Sequence, residues 1–109
     1  MPSTIVTINP TSGAELVRYP AMSPEQIDVA VDTAAAAQRG WAGEDFTVRA
    51  EILRAAAELL RERDDELALL VTREMGKPLA ESVAEVHKCA DGLEFYASTR
   101  PAFWPMRST

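Results

Sequence analysis

The chain has 109 residues, 47% of them hydrophobic and 26% charged, the composition of one small globular domain with a modest core. Its net charge is −6, and the stretch to Tyr96 sets 9 basic against 17 acidic residues, which argues against nucleic acid and against an anionic membrane surface. One cysteine, Cys89, excludes a disulfide framework within one copy. No apolar run approaches the ~18–20 residues of a membrane span. Met1 to Thr7 shows no secretory leader, so a cytoplasmic location is the default expectation.

Thr4 to Ile8 alternates with β-branched residues and predicts a strand. Asn9-Pro10-Thr11-Ser12-Gly13 is turn chemistry, with a glycine able to take positive φ. Leu16 to Tyr19 predicts a second strand, giving a hairpin over about 4–19. An isolated hairpin is marginal in water, so it is expected to lie on something else.

Ser23-Pro24-Glu25 is a helix start. Ser23 caps, Pro24 fits the first turn, and Gln26 completes a capping box. Ile27, Ala30, Val31 and Ala34 make one face of a helix predicted over 24–39. Gly40-Trp41-Ala42-Gly43 is expected to break it, with Trp41 plugging the core beneath the next turn. Thr47 is expected to cap a second helix over 47–63, which bears Ile52, Leu53, Ala56, Leu59 and Leu60.

A third helix, begun by Asp64 or Asp65, spans about 65–75. It carries Leu67, Leu70 and Val71 and stops at Gly76, since glycine closes a helix in the left-handed region without steric cost. Pro78 suits the first turn of a fourth helix over 78–97. Leu79, Val83, Val86, Ala90, Leu93 and Ala97 recur there at alternating steps of four and three, a narrow stripe that packs along a partner helix. Residues 98–109 carry two prolines and no acids, and are predicted irregular.

Few residues carry chemistry. Cys89 lies mid-helix beside the stripe and reads as a small core or boundary residue. Lys88, its neighbour, does not share its face. His87, two positions from Cys89, points to another side, so the two make neither a metal site nor a Cys–His dyad; it reads as solvated. Glu81 and Glu85 share a face, and an acidic surface is favoured over an acid–base pair. Asp64-Asp65-Glu66 suits a helix N-terminus. None of the glycines builds a dinucleotide or phosphate loop, and Gly76-Lys77 lacks the preceding strand and glycine of one.

Ile8-Asn9-Pro10-Thr11-Ser12-Gly13 resembles the Asn-Pro-x-x-Gly opening of NAD(P)-dependent aldehyde dehydrogenases. Val29 to Ala37 with Trp41, and Arg49 to Leu60, resemble the helices that follow. Glu74-Met75-Gly76-Lys77-Pro78, with Glu81, Glu85-Val86 and Phe95-Tyr96-Ala97, completes the series in order. Glu74 to Glu81 and Lys88-Cys89-Ala90 lean toward the succinate-semialdehyde dehydrogenase group. The resemblance runs from about Ile5 to Ala97, assigns residues 1–97 to one domain, and implies a mainly α segment with a short N-terminal β-hairpin, the N-terminal helical part of that α/β fold without its Rossmann-like core. In such an enzyme a cysteine attacks the aldehyde, hydride passes to NAD or NADP, and a glutamate activates the water that releases the acid. Those parts come later in the family's sequence. The resemblance therefore assigns no catalytic, cofactor-binding or metal residue here, and Cys89 is not the family nucleophile.

The expectation is an N-terminal aldehyde dehydrogenase segment, inactive alone and without its own cofactor. Residues 98–109 are expected not to be family sequence, as in a truncated or frameshifted product or a gene-model fragment. Two rivals stand beside it: one half of a split dehydrogenase that docks on a catalytic half, and a free-standing helical interaction module. Self-association through exposed apolar helix faces is the remaining partner expectation.

Overall fold

The computed structural model describes residues 3–103. It is mainly helical, in the order β1 (Thr4–Ile8), β2 (Glu15–Pro20), α1 (Pro24–Gly43), α2 (Phe46–Glu62), α3 (Asp64–Met75) and α4 (Leu79–Phe103). Two compact units are present: Met1–Glu44 with Arg73–Gly76, and Asp45–Thr72 with Lys77–Thr109.

In the first unit, β1 and β2 pair antiparallel, with Ile5 opposite Tyr19 and Thr7 opposite Val17. Ile8 then pairs with Glu15, so Leu16 is an extra residue that shifts the register. The turn is held by Asn9. Its carboxamide oxygen accepts the N–H of Thr11 at 2.9 Å, and its carbonyl accepts that of Gly13 at 2.8 Å. Gly13 has φ +74°, the conformation that its lack of a β-carbon permits.

Helix α1 starts as its sequence predicts. Ser23 Oγ accepts the Gln26 N–H at 3.2 Å, and Gln26 Oε1 accepts the Ser23 N–H at 2.8 Å. The expected break at Gly40 does not occur, and the helix runs on to Gly43. A helical glycine costs only about 1 kcal/mol against alanine, and neither Gly40 nor Gly43 takes positive φ. Trp41 consequently sits in the last turn, 38% exposed, and plugs no core. No residue of α1 is buried.

The second unit holds the packed core. Helices α2 and α4 run antiparallel, in the most extensive helix–helix packing among the described residues. The α4 stripe thus finds its partner within the chain. Val86, Ala90 and Ala97 are buried, while Leu79 at its start is exposed. Small residues set the contact: Ala50 and Ala57 of α2 and Ala90 and Ala97 of α4 are almost wholly excluded from solvent. Alanines let two backbones approach closely, so the interface is built from dispersion contacts rather than large side chains.

The apolar residues of α2 divide between two sides of the helix. Ala50, Leu53, Ala57 and Leu60 turn inward, whereas Ile52 and Leu59 are about half exposed. Asp45, not Thr47, is the N-cap of α2, and it caps without a side-chain hydrogen bond. Pro78 precedes α4, and its carbonyl accepts the first intrahelical bond, from the Ser82 N–H at 3.0 Å. Ser82 is fully buried, with its hydroxyl paired to Thr72 Oγ1 at 2.8 Å.

Helix α4 continues to Phe103 where an irregular tail was expected from Ser98. Residues 104–109 lie outside the described residues. The continuation passes through Pro101, which has no N–H to return to the carbonyl of Ala97. Arg54 Nη2 donates to that carbonyl instead, at 3.4 Å. Thr99 Oγ1 donates to the Phe95 carbonyl at 2.6 Å.

Candidate functional site

The polar side chains of the second unit gather in three places on α4. The first is its N-terminal end, where Lys77, Glu81, Ala84, Glu85 and Lys88 line a shallow depression. Glu81, Glu85 and Lys88 follow at steps of four and three and so share one face. The Lys77 ammonium donates to Glu85 Oε2. That bond holds the Glu85 carboxyl below its ordinary value and Lys77 above its own, and the charge of Glu81 raises Lys77 further. Both shifts lead away from the near-neutral values that general acid–base transfer needs. The two glutamates expected as an acidic surface thus line a surface depression, one of them in an ion pair.

The second is mid-helix. His87 Nε2 lies 2.7 Å from Asp64 Oδ2, joining α4 to the first residue of α3. The bond from His87, and then the Asp65 N–H on Asp64, hold the Asp64 carboxyl below its ordinary value. His87 was expected to be merely solvated; it is exposed and partnered. Cys89 is exposed rather than part of the core or its boundary.

The third is a charge clamp between α2 and α4. Arg61 Nη1 donates to Glu94 Oε1 at 2.7 Å, and Nη2 donates to Asp91 Oδ1 at 2.8 Å and Glu94 Oε2 at 3.1 Å. The fork of a guanidinium matches a carboxylate edge, which fixes the register of the two helices. These bonds, Glu94's first, raise Arg61 above its ordinary value. The clamp had one sign in the sequence, the i, i+3 spacing of Asp91 and Glu94, but nothing local named Arg61 as its partner.

Among the described residues, no group of three or more His, Cys, Asp or Glu side chains is disposed to hold a metal ion. No helix of theirs is long and apolar enough to cross a membrane. Two of the three clusters join helices, and the other ties Lys77 of the α3–α4 connection to α4; their geometry brings no nucleophile together with a base.

The sequence profile of the aldehyde dehydrogenase family matches residues 1–103, beyond the expected limit at Ala97. The chain is 41% identical over 97 residues to the succinate-semialdehyde dehydrogenase [NADP(+)] of Deinococcus radiodurans, covering 89% of this chain and 20% of that enzyme. It is 42% identical over 99 residues to the betaine aldehyde dehydrogenase of Cereibacter sphaeroides, covering 90% of this chain and 20% of that enzyme. Among solved structures, an aldehyde dehydrogenase of Brucella melitensis superposes with a TM-score of 0.87 at 34% identity, over 97% of this chain and 23% of that one. An NADP-dependent glyceraldehyde-3-phosphate dehydrogenase of Bacillus halodurans, complexed with NADP, superposes with a TM-score of 0.83 at 33% identity, over 86% of this chain and 20% of that one. The hairpin, the four helices and the Gly76 stop are thus those of an N-terminal segment spanning about a fifth of these enzymes, and the chain belongs to the aldehyde dehydrogenase family.

Proposed function

We propose that this chain is the N-terminal supporting segment of an NAD(P)+-dependent enzyme that oxidises succinate semialdehyde to the acid, and that the chain alone does not turn over. The observation that carries the scaffold role is the use of its polar groups. Lys77 with Glu85, Asp64 with His87, and Arg61 with Asp91 and Glu94 pair the charges that α4 presents to its neighbours. The succinate-semialdehyde reading is supported by Glu74 to Glu81 and Lys88-Cys89-Ala90, and by the Deinococcus radiodurans relative. A betaine aldehyde substrate is the second reading, supported by a relative of nearly the same identity. The cofactor, NAD or NADP, would bind to the larger remainder of such an enzyme. The reading carries a cytoplasmic location with it.

Two assays test it. The purified chain, given succinate semialdehyde or betaine aldehyde with NAD+ or NADP+, should form no reduced cofactor above background. A chimera in which residues 1–97 replace the matching segment of the Deinococcus radiodurans enzyme should keep that enzyme's activity. Turnover by the chain alone would overturn the inactivity, and a folded but inactive chimera would overturn the supporting role.

A further inference from the structure

We draw no further inference here: the strongest candidate, the shallow depression at the start of α4 lined by Lys77, Glu81, Ala84, Glu85 and Lys88, belongs to the site already described, where the Lys77 ammonium is taken up by Glu85.

Discussion

Gly76 closes on Pro10: a β-carbon built on Gly76 would lie 3.0 Å from Pro10 Cγ. The two belong to motifs separated by most of the chain, the helix stop after α3 and the turn of the hairpin. Gly76 also has φ +72°, so the position excludes a side chain on two grounds. The left-handed conformation costs an L-residue roughly 1–2 kcal/mol, and the contact adds to it. Gly13 has a similar φ of +74° but open space around it. Gly76→Ala should therefore destabilise by more than Gly13→Ala, which should cost about 1 kcal/mol. Urea midpoints of the two variants measure the difference, and equal losses would show that Pro10 yields freely.

The α2–α4 contact should tolerate almost no added volume. Ala57 and Ala90 are both 0% exposed. Ala57→Leu or Ala90→Leu should cost about 1–3 kcal/mol by forcing the helices apart. Ile52→Ser, on the exposed side of α2, should stay within about 0.5 kcal/mol. Thermal melts followed by circular dichroism separate the two cases.

Arg54 completes the backbone of α4 where Pro101 cannot. Arg54→Ala should leave the Ala97 carbonyl unpaired and cost about 0.5–1.5 kcal/mol. The loss should be local, so the amides after Ala97 should exchange faster while those near Ser82 stay protected. Uniform loosening of α4 would show that the bond serves the whole helix instead.

The Lys77–Glu85 pair sets a pH window. Glu85 is lowered in the folded chain, so its contribution is fully present above 4.5, the ordinary glutamate value, and is lost as pH falls through the lowered folded value. Lys77 is raised, so its contribution is fully present below 10.5, the ordinary lysine value, and is lost as pH rises through the higher folded value. Glu85→Gln should be less stable than the parent at pH 7, and the gap should narrow toward acid. Added salt should narrow it as well, because the pair is exposed. Denaturant midpoints across pH and salt give both readings. A gap that persists in acid would assign the effect to packing.

The parts of this protein legible in one dimension are those decided within a few residues. The Ser23–Gln26 capping box, the Asn9 turn and the Gly76 stop each depend on local hydrogen bonds or on φ alone, and each appears as its sequence predicts. The order of those signals also sufficed to place the family. Other features depended on what stands opposite. The apolar arc of α2 is wider than one helix can cover, and only the approach of α4 decided that Leu53 and Leu60 face in while Ile52 and Leu59 face out. The fate of Trp41 rested on whether Gly40 would break α1; glycine permits a helix as well as a break, and the helix continued. Past Pro101, which cannot return an N–H to the Ala97 carbonyl, that carbonyl accepts from Arg54 of another helix, a partner no local signal names. Local chemistry determines where elements begin and end, because those hydrogen bonds close within a turn. The buried sides of the helices and the partners of the charges were decided by tertiary contact, because they join residues tens of positions apart.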